Sequence, residues 1–338
     1  MPLASSLQSL PALSGSHALA RTVDYMRISV TDRCNERCLY CLPEHFQAWM
    51  PREDILSYDE ILSVVSVAVA RGFKHFRITG GEPLVRRDLP SFLSRLIATP
   101  GVETVQLSTN GTLLPELAND VYRAGLRRLN ISLDALDSAV YHDITRGSIE
   151  PVLAGIHRAK SLGFSSIKLN TVLIRHKNES QLWPLIEFAA ALQLPIRFIE
   201  LMPVSLTEML TEENFLPVGA VMRMISDRDK LIPEDGKLGH GPAKYYRLKK
   251  TGALVGFIGA LTNLHFCESC NKVRLTADGY LRPCLGNHGE YDLKRCLRPA
   301  LNPDDLRALL DQALAEKPPE HLFRNNWQPH RVMTAIGG

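Results

Sequence analysis

The 338-residue chain contains no run of about 18 apolar residues, so the sequence predicts no membrane-spanning helix. Residues 1–20 lack Lys and Arg, which argues against a secretory signal or an organelle transit peptide, and we expect residues 1–21 to form a flexible extension.

A net charge of only +3 gives no indication of a nucleic-acid partner. Seven cysteines, an odd number at uneven spacing, do not suit the disulfide framework of a secreted protein. They indicate metal binding in a reducing cytoplasm instead.

Short apolar segments alternate with helical patterns between residues 25 and 230. The predicted strands are Met26–Val30, His75–Thr79, Val105–Ser108, Leu129–Leu133, Ile167–Leu173 and Ile196–Leu201. The predicted helices are Tyr58–Ala70, Leu89–Ile97, Leu114–Ala124, Ser138–Thr145, Pro151–Leu162 and Ser180–Leu192. Six strand–helix units predict an α/β fold, and because a closed barrel has eight, we favour a partial, six-unit βα barrel of the TIM type. A doubly wound sheet is the alternative that this pattern leaves open.

The pattern changes near residue 230. Lys244–Leu248 and Val255–Ile258 predict an antiparallel hairpin, and Asp304–Leu314 predicts a helix. We therefore expect residues 22–230 to form the barrel and residues 231–330 to form a C-terminal α+β extension. Residues 331–338, which end in Gly337–Gly338, are predicted to be an unstructured, flexible tail.

Three cysteines follow the first predicted strand in a single loop: Cys34, Cys38 and Cys41. A four-iron cluster normally takes four thiolates, so three cysteines leave one iron open to another ligand. An open coordination position is typical of catalytic metal sites. The alternatives are a structural zinc site completed by His45, or simple packing.

Polar residues stand at the ends of several predicted strands. They lie in Thr79–Pro83, Ser108–Gly111, Ser132–Asp134 and Glu200–Pro203, and at Asn170. The active site of a parallel barrel is built from the carboxyl ends of its strands, so these residues predict a site there. Helix capping and tight turns are the alternative roles for each of them.

A second cysteine group, Cys267, Cys270 and Cys284, lies in the C-terminal region. It again provides three thiolates, which suits a second cluster with an open iron. Zinc requires a fourth ligand, for which His265 and His288 are candidates. The cysteine spacing alone does not distinguish an iron–sulfur cluster from a zinc site.

The motif Cys34-x3-Cys38-x2-Cys41, with Tyr40 before the third cysteine and Gly80-Gly81-Glu82-Pro83 after the second strand, resembles the radical S-adenosylmethionine (SAM) superfamily. Together with the second cysteine group and the terminal glycines, residues 22–338 closely resemble the GTP 3′,8-cyclase family of molybdenum cofactor biosynthesis. The resemblance implies a radical SAM lyase with two [4Fe-4S] clusters, one that binds SAM and one that binds the guanine of GTP. It also implies that a 5′-deoxyadenosyl radical removes hydrogen from C3′ of GTP before C3′ joins C8.

The resemblance also assigns individual residues. For SAM it implies Tyr40, Gly81, Glu82, Ser132 and Met202. For GTP it implies Arg27, Arg77, Thr109, Lys168, Lys272, Val273 and Arg274. Arg77 and Lys168 interrupt apolar strands, and since cations are rarely buried unpaired, an anion inside the barrel is a sensible partner.

Three positions depart from the family pattern. Lys272 replaces a usual Arg, which keeps the charge but weakens bidentate phosphate recognition. His75 replaces a common phosphate-facing Lys, so we do not assign it to GTP. Glu36 replaces an apolar residue and is expected to face solvent. Cys296, outside both groups, is predicted to be a buried thiol.

The expected partners are GTP, an electron donor and a cyclic pyranopterin monophosphate synthase that receives the product, with the chain a monomer or homodimer. A peptide-modifying radical SAM maturase with an auxiliary cluster is the nearest alternative. A non-catalytic iron–sulfur protein is another, although the polar strand ends argue against it.

Overall fold

The computed structural model describes residues 21–235, 238–325 and 327–338. All but Arg21 of the predicted N-terminal extension therefore lies outside the described residues. Six strands alternate with helices in the first two thirds of the chain: β1 Tyr25–Ser29, β2 His75–Thr79, β3 Thr104–Thr109, β4 Arg128–Ser132, β5 Ser166–Leu173 and β6 Ile196–Glu200. Each strand pairs in parallel with the next one along the chain. A doubly wound sheet reverses its strand order, and this sheet does not, so the partial βα barrel is confirmed.

Helices cover the outer face of these strands. They are α1 Tyr58–Ala70, α2 Leu89–Ile97, α3 Leu114–Arg123, α4 Ser138–Thr145, α5 Ile149–Ser161, α6 Leu182–Ala191, α7 Val218–Ser226 and α8 Pro303–Ala315. A short helix near the end of the chain, α9 Met333–Ile336, lies instead at the cavity inside the barrel. Helix α1 begins at a reciprocal capping box between Ser57 and Glu60, which satisfies two backbone N–H groups of its first turn. Its buried residues, Ile61, Val64, Val65 and Ala68, recur at helical spacing and belong to the main apolar core.

The C-terminal region extends both edges of the barrel sheet. Its strands are β7 Leu231–Pro233, β8 Lys244–Leu248, β9 Leu254–Ile258, β10 Lys272–Leu275, β11 Tyr280–Arg282 and β12 Tyr291–Asp292. Strand β9 pairs in parallel with β6, and β10 pairs in parallel with β1. The predicted hairpin is the antiparallel pair of β8 and β9. Among the described residues the sheet has twelve strands and is not closed, so the barrel interior stays open.

The chain ends in a short helix rather than in the unstructured segment that the sequence predicts. Helix α9 is followed by Gly337, whose φ of +86° favours glycine. The helix forms because Val332 and Ala335 pack against Leu42 of the cysteine loop. The flexibility of this tail stays a prediction, as do the domain boundaries at residues 230 and 330.

In the described part of the chain, no helix combines the length and apolar character needed to cross a bilayer.

Candidate active site

One cavity of about 340 Å³ lies inside the open barrel. Its wall includes the cysteines of both groups: Cys34, Cys38, Cys41, Cys267, Cys270 and Cys284. The first group follows the carboxyl end of β1, whereas Cys267 and Cys270 precede the amino end of β10. Because β1 and β10 are parallel neighbours, the two groups stand at opposite ends of the same cavity.

The residues around the thiols suit iron–sulfur clusters better than zinc ions. A structural zinc site needs a fourth ligand, for which the sequence offered His45, His265 and His288. These three histidines do not line the cavity that the six cysteines line; the His265 ring bonds Glu268 and the His288 ring bonds His330. Three thiolates without a fourth protein ligand fit a four-iron cluster with one open iron.

The two glycines after β2 hold the first cysteine loop in place. The N–H of Gly81 donates to the Thr31 carbonyl (2.8 Å), and the N–H of Glu82 donates to the Arg33 carbonyl (2.8 Å). A Cβ on Gly81 would stand 2.3 Å from the Arg33 carbonyl oxygen, so only glycine permits this approach. Positioning of the cysteine loop is a role that sequence reasoning did not give to Gly81.

The buried Glu82 carboxylate is hydrogen-bonded at both oxygens. Oε1 accepts from the Leu84 N–H (3.0 Å) and from the Thr109 hydroxyl (2.8 Å). Oε2 accepts from the Asn110 N–H (2.6 Å). Burial raises the pKa of Glu82 to about 7, although these donors oppose the rise. Thr109, which we expected to contact GTP, thus directs its hydroxyl to Glu82.

Two further carboxyls lie beside the first thiol group. Asp134 accepts a 2.6 Å hydrogen bond from the Tyr40 hydroxyl, and burial raises its pKa to about 6. Glu36 accepts a 2.8 Å hydrogen bond from the Tyr141 hydroxyl, and burial raises its pKa to about 8. The expectation that Glu36 faces solvent is wrong, because it is only 4% exposed and Tyr141 of α4 covers it.

Backbone N–H groups and cations surround the second thiol group instead. Cys267, Cys270 and Cys284 receive backbone hydrogen bonds from His321, Lys272 and Gly286 respectively. The Lys317 ammonium lies 3.9 Å from the Sγ of Cys270. Burial raises the pKa of Cys270, but Lys317 and the Lys272 N–H outweigh burial, and the pKa falls below its ordinary value.

A row of arginines crosses the sheet inside the cavity. The strand register places Arg274 of β10, Arg27 of β1 and Arg77 of β2 side by side. Burial, and next the charges of Arg274 and Arg77, lower the pKa of Arg27 well below its usual range. The Nε atoms of Arg27 and Arg77 are buried and have no hydrogen-bond partner among the described residues. Neighbouring, partly buried cations with unpaired donors cost free energy, so this row favours an anionic ligand.

Lys168 and Arg197 extend this positive region. Side chains alternate along β5, so Lys168 faces away from the buried Ile167 and lines a second cavity of about 250 Å³. Arg77 and Arg197 line both cavities. Arg197 is 3% exposed, and its Nε also lacks a partner in the described chain. Sequence reasoning missed Arg197, although it interrupts an apolar strand as Arg77 and Lys168 do.

The C-terminal glycines lie on the row of arginines. The Gly338 carbonyl accepts hydrogen bonds from Arg27 and from the Thr79 hydroxyl. The Gly337 carbonyl accepts a 2.5 Å hydrogen bond from Arg274. Two of the cations assigned to GTP are therefore bonded to the tail.

The remaining predicted residues divide into two sets. Tyr40, Ser132 and Met202 line the main cavity beside the first thiol group. Val273 does not, because alternation along β10 turns it away from Lys272 and Arg274 and into the apolar core. His75 stacks on His240, with 3.5 Å between ring centroids, which agrees with leaving it out of the GTP site.

Comparison with known proteins agrees with this geometry. The family model of the radical SAM superfamily matches residues 28–189, and the model of Molybdenum Cofactor Synthesis C matches residues 194–323. The GTP 3′,8-cyclase of Pelotomaculum thermopropionicum is 43% identical over 320 residues, which cover 94% of this chain and 98% of that protein. The chain belongs to the GTP 3′,8-cyclase family. Another member, from Moorella thermoacetica, is 42% identical over 319 residues, with coverage of 94% and 98%.

Solved structures support the fold of this family member. Streptococcus suis SuiB bound to S-adenosylmethionine aligns with a TM-score of 0.56 at 13% identity, over 80% of this chain and 63% of SuiB. SuiB bound to its precursor peptide SuiA aligns with a TM-score of 0.57 at 14% identity, over 90% and 75% of the two chains. At this identity the likeness concerns the fold alone.

Proposed function

We propose that this chain is a GTP 3′,8-cyclase, which converts GTP to 3′,8-cyclo-7,8-dihydro-GTP in an early step of molybdenum cofactor biosynthesis. The observation that carries the proposal is that two separate three-thiol groups and a row of partly or fully buried arginines share one cavity. Family membership over 94% of the chain supports the same reaction. The enzyme uses SAM and two [4Fe-4S] clusters, which together supply the electron and the 5′-deoxyadenosyl radical when they are bound.

The residues at the carboxyl end of β1 hold the first cluster and SAM. Cys34, Cys38 and Cys41 supply the thiolates, and the Gly80–Gly81 turn fixes their loop. Tyr40, Ser132 and Met202 line the adjoining wall, where they would contact SAM. Glu82 is fully buried behind this wall and accepts hydrogen bonds from Leu84, Thr109 and Asn110, so it would support SAM binding by fixing the turn.

The opposite half of the cavity holds GTP. Cys267, Cys270 and Cys284 supply the second cluster, whose open iron would take the guanine. The triphosphate would then be held by cations that line the main cavity, together with Lys168 of the adjoining one: Arg27, Arg77, Lys168, Arg197, Lys272 and Arg274. Fixing both ends of the nucleotide sets the position of C3′, and such orientation is the main contribution a protein makes to radical chemistry. Val273 supports this half by packing into the apolar core behind Lys272 and Arg274, whereas Thr109 holds Glu82 at the carboxyl end of β2.

The tail must adjust when GTP binds. Gly337 and Gly338 accept hydrogen bonds from Arg274 and Arg27, so their carbonyls compete with phosphate oxygens for the same donors. The tail therefore either moves aside or shares these arginines with the substrate. The proposal includes an electron donor for the first cluster and transfer of the product to a cyclic pyranopterin monophosphate synthase. We further propose that the chain acts in the cytoplasm as a monomer or a homodimer.

Anaerobic reconstitution followed by incubation with GTP, SAM and dithionite tests the function. We expect 5′-deoxyadenosine and 3′,8-cyclo-7,8-dihydro-GTP to appear together, with ATP in place of GTP as the control nucleotide. The Cys296→Ala variant, which removes a buried thiol outside both groups, should behave like the unmodified chain. SAM cleavage without a cyclised nucleotide would contradict the GTP assignment, and absence of SAM cleavage would contradict the radical chemistry.

A further inference from the structure

A short segment that follows α8, Lys317–His321, contacts the second thiol group and the backbone around it. The Lys317 ammonium donates to the Lys272 carbonyl (2.8 Å) and to the Pro283 carbonyl (2.5 Å). Lys272 begins β10, two residues after Cys270, and Pro283 directly precedes Cys284, so the two carbonyls belong to the separate pieces of chain that carry these cysteines. One side chain therefore ties together two pieces of chain that contribute thiols to one site.

The other end of this segment is also fixed at the thiol group. The Arg21 guanidinium donates to the Pro319 carbonyl (3.0 Å) and to the Cys267 carbonyl (2.5 Å). The His321 backbone bonds Cys267, and the His321 ring lies 2.9 Å from the Ala260 carbonyl. The contacts of the Lys317 ammonium and those of Pro319 and His321 together fix the segment. They hold the ammonium 3.9 Å from the Cys270 Sγ.

The ammonium has no carboxylate partner in the described chain; it contacts two carbonyls and a thiol. Its charge is therefore directed at the thiols rather than neutralised by an acid. Positive charge and hydrogen bonds near cluster sulfurs favour the reduced, more negative state of an iron–sulfur cluster, and so raise its reduction potential.

We propose that Lys317 is a positioning residue for the second iron–sulfur cluster, which joins its two thiol-bearing loops and raises its reduction potential. The inference rests on the proposed function only in that it requires a cluster on Cys267, Cys270 and Cys284. Lys317 acts through the cluster and contacts no substrate, so it is not a catalytic residue.

Lys317→Met and Lys317→Arg test the proposal in the reconstituted holoenzyme. Lys317→Met keeps the length of the stem but removes the charge and the N–H donors, whereas Lys317→Arg keeps the charge. Lys160→Met is the matched control, because the Lys160 ammonium also donates to a backbone carbonyl, that of Leu192, away from both thiol groups. The readouts are iron content and a redox titration followed by electron paramagnetic resonance. A variant with alanine at Cys34, Cys38 and Cys41 assigns the signal of the second cluster.

We expect Lys317→Met to move the midpoint potential of the second cluster to more negative values and to leave that of the first cluster unchanged. Lys317→Arg and Lys160→Met should keep both potentials. Loss of the second cluster in Lys317→Met with retention in Lys317→Arg supports the joining role. Full iron content with an unchanged second potential in Lys317→Met overturns the proposal, as does equal loss of the cluster in both Lys317 variants. If the unmodified chain binds no second cluster, the proposed function fails instead.

Discussion

The two thiol groups of this chain lie beside different ionisable side chains. Burial raises the pKa of the thiols in the first group, and the neighbouring carboxyls Glu36, Glu82 and Asp134 add to the rise at Cys34 or Cys38. Burial also raises the pKa of Cys267 and Cys284 in the second group. The contrast is carried by Cys270, where Lys317 and Lys272 outweigh burial and the pKa falls.

This contrast matches two different tasks in one cavity. Asp134, whose pKa is about 6, is negatively charged at neutral pH, and negative charge near an iron–sulfur cluster makes the reduced cluster a stronger electron donor. SAM cleavage needs such a donor at the first group. The cations at the other end attract a polyanion. On the proposed assignment, the end beside Asp134 would donate the electron and the end beside the cations would bind the substrate.

Removing one thiol from either group should separate the two tasks most strongly. In Cys34→Ala we expect loss of both 5′-deoxyadenosine and cyclised nucleotide, because the first cluster cannot be held by two thiolates. In Cys270→Ala we expect the cyclised nucleotide to be lost while some SAM cleavage remains. Product analysis by mass spectrometry measures both. Equal retention of SAM cleavage in the two variants would show that the assignment of the two ends is wrong.

Gly81→Ala should damage only the first group. Its Cβ would stand 2.3 Å from the Arg33 carbonyl in the backbone of the cysteine loop, and overpacking of this kind costs at least about 1–3 kcal/mol. We expect the variant to bind about half of the iron, since each cluster takes four irons. Gly289→Ala is the control, because its Cβ would meet nothing closer than 3.5 Å. Full iron content in Gly81→Ala would refute the positioning role of this glycine.

Residue pattern predicted the backbone of this site better than the partners of its side chains. Strand and helix periodicity located all six barrel strands, and the cysteine spacing located both thiol groups. Glu36 was misjudged because its partner, Tyr141, lies on a helix 105 residues further along the chain. Local sequence carries no signal of that contact.

Arg197 and Lys317 show two different kinds of omission. Arg197 carried the same signal as Arg77, a cation within an apolar strand, and consistent use of that rule would have found it. Lys317 carried none, since it sits before two prolines in a loop and its carbonyl partners lie 45 and 34 residues earlier. Val273 was included through motif resemblance alone; strand β10 was not predicted, and its alternation turns Val273 away from Lys272 and Arg274.

Arg274→Ala tests the positive half without touching a thiol. Loss of a buried charged donor costs about 1.5–3 kcal/mol, so we expect GTP to bind about 10- to 150-fold more weakly. Calorimetry under anaerobic conditions measures the affinity, and iron content should not change. Arg71→Ala is the control, because Arg71 forms an exposed ion pair with Asp311. Normal GTP affinity in Arg274→Ala would count against the phosphate site.

The smallest expected effect is a change in how GTP affinity depends on pH. Burial, and next the charges of Arg197 and Arg77, lower the pKa of Lys168 to about 8. Its ammonium is therefore charged at neutral pH and is lost as the pH rises through 8. Bound triphosphate favours the charged form, so GTP affinity should fall above about pH 8 by at most about tenfold per pH unit for this one group.

Lys168→Arg keeps its charge through this range, so its affinity should fall less steeply between about pH 8 and 9. Part of the dependence should remain in that variant, because burial also lowers the pKa of Lys272 to about 8. Calorimetric titrations of both proteins at several pH values measure the two slopes. Identical slopes would mean that Lys168 does not pair with the triphosphate, and the positive half of the cavity would then be confined to the arginines and Lys272.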